Sequence, residues 1–170
     1  MARHELGYSL VELLVVSSLL LLLLLGVSTL FIASLTADAR ITLRQELRAE
    51  GNYALDTMSY FIRNAKGIPV CQSSGQTLSV LNEDGRVTEY FVSSNQIASH
   101  SAALPLLLLP ERTDLLTVSP YEVEAGSFIL DCNNANQPYV TINFTLTRTD
   151  AQGTAIENDF RHTVLVRNQI

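Results

Sequence analysis

The sequence predicts an α+β fold in which one long N-terminal α-helix packs on an antiparallel β-sheet. Three observations predict it. From Tyr8 to about Lys66 the chain has no Pro and only two Gly, Gly26 and Gly51. The first half of that run is uniformly apolar, whereas the second is amphipathic at three- and four-residue steps. Beyond it come short segments of period two, separated by turn residues.

Residues 13–37 carry no ionisable side chain, and with Leu10 and Val11 they exceed the roughly 20 apolar residues that span a bilayer. Glu12 is the anomaly. A carboxylate costs up to ~2.5–3.5 kcal/mol at the membrane centre and less near the interface, so it calls for a compensating partner. A helix over residues 8–66 is roughly 88 Å long at 1.5 Å per residue, and about a third of it crosses the bilayer. Gly26, in mid-span, costs ~1 kcal/mol of helix propensity relative to Ala and reads equally as a packing notch or a point of loosening. Past Asp38, the residues Leu43, Leu47, Ala54, Met58, Phe61, Ile62 and Ala65 form a stripe that needs a sheet to cover it. Arg44, Arg48, Glu50, Asn52 and Arg63 form the opposite, solvated face. Gly67 and Pro69 are read as the helix stop, a Gly past the last turn followed by a residue that cannot continue it.

Strands are expected at residues 78–81 and 87–92, flanking Asn82-Glu83-Asp84-Gly85, whose Asp-Gly pair is the strongest hairpin signal in the chain. Further short strands are expected at 114–118, 121–124 and 127–130. Residues 139–148 alternate polar against apolar and read as a half-buried strand. A closing strand over 161–167 places Thr163, Leu165 and Arg167 on one side and His162, Val164 and Val166 on the other. The turn between these two strands is read at 150–153, extending toward Asp159. Residues 104–110 hold four consecutive leucines between prolines. That is too short and too Pro-bound for a second membrane span, and fits a buried strand or a subunit-contact loop.

With 170 residues there is room for one modest globular domain beside the membrane helix. The net charge of −6 argues against a nucleic-acid surface, which needs a basic patch to displace counterions. The two cysteines, Cys71 and Cys132, both follow the membrane segment, and in an oxidising compartment such a pair reads as a disulfide. It would close a loop of about 60 residues, worth roughly 4 kcal/mol in the chain-entropy account. Two separate buried thiols are the alternative. No metal site is expected, since His4, His100 and His162 are scattered and no Cys-x-x-Cys occurs. The run Asp131-Cys132-Asn133-Asn134-Ala135-Asn136 offers oxygen ligands for calcium, but its spacing is not that of an EF-hand and Asn clusters mostly form turns. No Gly-x-Ser-x-Gly, phosphate loop, His-Glu-x-x-His or dinucleotide glycine pattern is present, so neither an enzyme nor a cofactor is expected.

The string Gly7-Tyr8-Ser9-Leu10-Val11-Glu12-Leu13-Leu14-Val15-Val16 resembles the N-terminus of the type IV prepilins and pseudopilins: a short polar leader ending in Gly, an acid five positions on, and an uninterrupted apolar helix. Tyr8 stands where Phe is usual, and Leu6 stands where Lys, Arg or Gln is common. The resemblance implies cleavage between Gly7 and Tyr8 by prepilin peptidase and N-methylation of Tyr8. It also implies that Glu12 neutralises the cationic chain end of a neighbouring subunit during assembly. It implies a pilin-like fold with a leader at 1–7, a transmembrane and assembly half of the helix at 8–37, and a periplasmic or extracellular α+β domain at 38–170. Partners implied are the peptidase, other pilin-like subunits, the inner-membrane assembly platform and membrane lipid. The location implied is the bacterial inner membrane, single-pass with the C-terminal domain in the periplasm, and later the pilus, pseudopilus or cell surface. Two further strings, Asp56-Thr57-Met58-Ser59-Tyr60-Phe61-Ile62-Arg63-Asn64-Ala65 and Phe160-Arg161-His162-Thr163-Val164-Leu165-Val166-Arg167-Asn168, look like minor pilins of the W type and secretion pseudopilins of the J type. That likeness implies an initiating or tip subunit of a type IV pilus or a type II secretion pseudopilus.

Two other readings compete. A secretory signal peptide has an apolar core of about 7–15 residues; Ala37-Asp38-Ala39 fits its cleavage form, but the apolar run before it is too long. An unprocessed single-pass membrane protein with a periplasmic binding domain remains the alternative. The count of positive charges does not decide orientation, because Arg40, Arg44 and Arg48 follow the span while only Arg3, the first amino group and His4 precede it. Topology therefore rests on the leader resemblance.

Overall fold

The computed structural model describes residues 9–70, 75–102, 110–133 and 139–167. One long apolar N-terminal helix and a set of antiparallel strands make an α+β protein. The chain divides into two units, Met1–Thr42 and Leu43–Ile170.

Helix α1 runs from Leu10 to Arg63. It ends short of the expected Lys66, and Gly67 is not its cap. The Ala65 amide donates to the Ile62 carbonyl at 3.3 Å, a tightening of the last turn, and the Lys66 amide then donates to the Leu81 carbonyl at 2.8 Å, drawing the chain into the sheet. Gly67 and Pro69 thus lie in strand β1 (Gly67–Val70). Because β1 is an edge strand, Pro69 is tolerated despite lacking a donor.

In the second unit the buried face of the helix consists of Leu47, Gly51, Ala54, Leu55, Met58, Ser59 and Ile62, the three- and four-residue repeat of a helix lying on a core. Phe61, expected on this face, is 39% exposed. The stripe turns inward through Leu55 and Met58 instead, leaving Phe61 on its flank.

Five strands form the first sheet in the order β1-β2-β3-β4-β5, with β2 at Leu78–Leu81, β3 at Val87–Ser93, β4 at Gln96–Ser101 and β5 at Arg112–Leu115. The Asp-Gly hairpin forms as expected: Gly85 takes φ +84°, its amide donates to the Asn82 carbonyl at 3.1 Å, and Asp84 accepts from the Arg86 amide at 2.9 Å. That backbone bond, reinforced by the Arg86 side chain, holds the Asp84 carboxyl below its usual range. Strand β4 had no sequence signal. It is reached through a two-residue turn, Ser94 and Asn95, with φ of 51° and 60°, the left-handed pair that a tight hairpin requires. Ser-Asn lacks the Gly that advertises such a turn.

The second sheet contains β6 (Glu122–Val123), β7 (Ile129–Asn133), β8 (Tyr139–Thr149) and β9 (Ala155–Leu165). Strand β9 pairs with β8 along its whole length, from Tyr139↔Leu165 to Thr149↔Ala155. Strands β6 and β7 share the other edge of β8. The β8–β9 turn closes at Asp150, whose Oδ1 accepts from the amides of Gln152 and Thr154 at 2.9 and 2.8 Å, with Gly153 at φ +81°. The turn does not extend toward Asp159, because this carboxylate clamp lets pairing resume at Ala155. There are accordingly two sheets rather than one. They are tied together where the Val123 amide donates to the Asn95 carbonyl at 2.7 Å and where Gly75 and Leu130 exchange backbone bonds.

One apolar cluster joins both sheets to the helix, including Leu47, Met58 and Ile62 from α1, Val80 and Tyr90 from the first sheet, and Ile142, Phe144 and Phe160 from the second. Each such side chain contributes about 1.5–3 kcal/mol by leaving water. Polar ties fix position rather than supply that energy. The Val118 amide donates to Glu50 Oε1 at 2.9 Å, and Arg148 donates to Glu46 Oε2 at 2.5 Å and to the Tyr121 hydroxyl at 2.8 Å. Glu50 is therefore not simply solvated. Side chains that remain 22% and 47% exposed, as Arg148 and Glu46 do, gain no more than about 1 kcal/mol from pairing.

Gly51 marks the tightest point of the seam. A Cβ built there would lie 2.1 Å from Cζ of Phe160. That ring cannot retreat, since it stacks on Phe144 at 5.1 Å and 19° and is only 6% exposed.

Ala normally gains about 1 kcal/mol over Gly inside a helix; here Gly51→Ala is expected to lose about 1–3 kcal/mol through overpacking, as read by chemical denaturation of the full chain in detergent. Burial pushes the Tyr90 hydroxyl well above its ordinary value of 10.0. The native state therefore keeps a proton that the unfolded chain releases near that pH, and the associated stability is full below pH 10 and is lost as pH rises above it. Tyr90→Phe should flatten this alkaline decline in denaturation midpoints measured on either side of pH 10.

Candidate functional site

The linear signals converge on the first turns of α1, where Glu12 stands alone among apolar neighbours. Helix formation begins as the Leu13 amide donates to the Ser9 carbonyl at 3.1 Å. Ser9 is thus in the capping position, and Glu12 follows it at the spacing of a capping box. An acid in the first turn faces the positive end of the helix dipole, worth about 0.3–1 kcal/mol, which falls short of the ~2.5–3.5 kcal/mol cost of a charge in mid-membrane. Among the described residues Glu12 has neither an ion-pair nor a hydrogen-bond partner. Gly7 and Tyr8, the expected cleavage and methylation positions, lie outside the described residues.

Around and beyond Glu12 the apolar side chains are bare. Leu10, Val11, Leu13, Leu14 and Val16 are all at least 60% exposed, and the exposure continues through Leu30, Phe31 and Leu35. By length and composition this helix is apolar enough to cross a membrane. Its hydroxyls do not interrupt it. Ser17 donates to the Leu14 carbonyl at 3.0 Å, Ser18 to Val15 at 2.8 Å, Ser28 to Leu24 at 2.8 Å, Thr29 to Gly26 at 2.8 Å and Thr36 to Ala33 at 2.9 Å. Protons returned to the preceding turn need no outside acceptor. Nothing stands within 4 Å of a Cβ placed at Gly26, so among the described residues that glycine accommodates no close contact.

Cys132 is disulfide-bonded, and the only other cysteine in the sequence, Cys71, lies outside the described residues. Asp131, Cys132 and Asn133 are in β7, so the start of the oxygen-rich run is strand rather than loop; residues 134–136 are not described. Among the described residues no group of three or more His, Cys, Asp or Glu is placed to hold a metal ion. His100 is engaged by Thr113 Oγ1 at 3.1 Å and by Glu111 at 3.3 Å, whereas His162 is exposed on β9. The four-leucine segment lies outside the described residues except for Pro110, which is exposed.

Sequence reasoning missed the polar groups that α1 shares with the sheets, Glu46 and Glu50 among them, because their partners at Arg148 and Val118 are far off in the chain. It also missed a polar cavity between the helix and the first sheet. No family model, no curated protein and no solved structure matches the chain.

Reduction of the Cys132 bridge is expected to cost roughly 2–4 kcal/mol. Denaturant midpoints with and without dithiothreitol provide the measure, and Cys132→Ser should abolish the difference.

Proposed function

We propose that this chain is a structural subunit of a pilin-like assembly, a minor pilin or pseudopilin of a type IV pilus or type II secretion pseudopilus, built into its initiating or tip complex. On this reading prepilin peptidase cuts after Gly7 and methylates Tyr8, and the helix as far as residue 37 stands in the inner membrane with residues 38–170 in the periplasm. Other pilin-like subunits, the assembly platform and lipid cover the bare apolar face. The role is one of assembly, with no catalytic step of its own.

The observation that carries this reading is the carboxylate of Glu12, unpartnered among the described residues at the start of an exposed apolar helix. Solvent is a poor final environment for a face of this kind, since exposed contiguous apolar surface marks a contact with lipid or protein. A carboxylate within that contact must either take up a proton or pair with a cation, and on this reading it pairs with a cation. The amino terminus of an adjoining processed subunit supplies one, and methylation leaves its charge in place. The string at the leader and the two strings in α1 and β9 point the same way by resemblance.

Mass spectrometry of the mature chain tests the reading. A chain beginning at methylated Tyr8 is expected; an intact leader would instead identify an unprocessed single-pass protein with a periplasmic binding domain. Glu12→Ala should leave cleavage unchanged yet reduce co-purification with other pilin-like subunits by about tenfold or more, the loss expected on removing one member of a poorly solvated charge pair. Undiminished co-purification of that variant would refute the pairing.

A further inference from the structure

Arg44 and Arg48 stand one turn apart on α1, and both are exposed. Leu43 and Leu47 pack on the core, which turns the two guanidinium groups outward. Among the described residues neither has an ion pair or a hydrogen bond. The helix offers them no counterion. Three and four residues from Arg44 lie Arg40, Ile41, Leu47 and Arg48; at the same steps from Arg48 lie Arg44, Gln45, Gly51 and Asn52. Acids at those steps would form pairs, whereas like charges there repel. The nearby carboxylates are already engaged, Glu46 by Arg148 and Glu50 by the Val118 amide. An anion held between the two arginines would satisfy both and relieve their repulsion.

Their place along the helix selects the anion. Residues 13–37 are the apolar span, and Arg44 and Arg48 follow its end by about 10 and 16 Å at 1.5 Å per residue. Helical side chains lean back over the preceding turn, about 5 Å toward the N-terminus and therefore toward the bilayer. The headgroup layer beyond the hydrocarbon is about 5–8 Å thick on each side. Arg44 thus reaches into that layer, and Arg48 stands just above it. Lipid phosphates are the anions present there, and a guanidinium meets a phosphate through two parallel hydrogen bonds. The chain as a whole carries a net charge of −6, which repels an anionic surface, so a preference for one must come from this face.

We propose that Arg44 and Arg48 clamp the phosphodiester of a net-anionic phospholipid. The assignment rests on α1 crossing a bilayer and holds whether or not the chain enters a filament. By gripping one leaflet, the pair fixes how far the helix stands out of the membrane.

The test uses the full chain, in phosphatidylcholine nanodiscs to establish insertion and in non-ionic detergent for lipid titrations read by native mass spectrometry. Phosphatidylglycerol is expected to bind about fivefold to tenfold more tightly than phosphatidylcholine, since one basic residue at a membrane surface adds about fivefold. Arg44→Gln with Arg48→Gln should bring the two lipids within about twofold of each other. The melting temperature should not fall, because the lost groups had no partners. Arg161→Gln with Arg167→Gln removes the same charge from exposed positions in and just after β9 and should leave the preference intact. Entry into nanodiscs without a preference for phosphatidylglycerol would overturn the clamp alone; failure to enter would remove the membrane span as well. The clamp also falls if the preference survives the first pair of substitutions or disappears equally with the second. Displacement of the lipid by about 10 mM inorganic phosphate would mark a free-anion site, and salt-sensitive self-association in place of lipid binding would mean that the arginines meet acids of a second copy. Either result refutes the proposal.

Discussion

Phe160 presses its ring onto the helix where Gly51 carries no side chain, and Phe144 stacks behind it. This close approach sets how α1 meets strands β8 and β9, and the core follows from it. Leu47, Ala54, Met58 and Ile62 are fully buried because the sheet comes near enough to exclude water from that face. A larger residue at position 51 would hold the strand away, and the cost would be shared by every contact in the cluster, since densely packed interiors transmit strain instead of absorbing it.

The same helix is used in two opposite ways. Over its second part, burial by the sheets completes the apolar stripe, and the polar ties through Glu46 and Glu50 settle its position. Over its first part, the leucines are exposed among the described residues. A stretch so apolar and so bare takes its environment from outside the polypeptide, whether acyl chains or other helices.

How far this could be read from the sequence depended on whether each signal was local. The long helix, the Asp-Gly turn at Gly85, and the inward alternation of Val140, Ile142, Phe144 and Leu146 are properties of neighbouring residues, and all were legible. Strand β4 was not, because Ser94 and Asn95 adopt left-handed backbone without a glycine to announce it. Gly67 and Pro69 resembled a helix stop because that signal is identical in composition to an edge strand with a proline in it. The solitary Glu12 could be picked out from the string alone. The cavity between α1 and the first sheet could not, since its lining comes from α1, the β2–β3 turn, β3, β4 and β5, and a buried hydroxyl is known to lack a partner only when all its surroundings are known.

The hydroxyls of the apolar segment have one more implication. Ser17, Ser18, Ser28, Thr29 and Thr36 have spent their protons on their own backbone, and leucine is indifferent to which leucine it meets. The ridges of two such rods side by side would interlock about equally well at several heights, roughly one helical turn apart. In the assembly proposed here, the lone acid would choose among those heights and so set the axial rise from each subunit to the next.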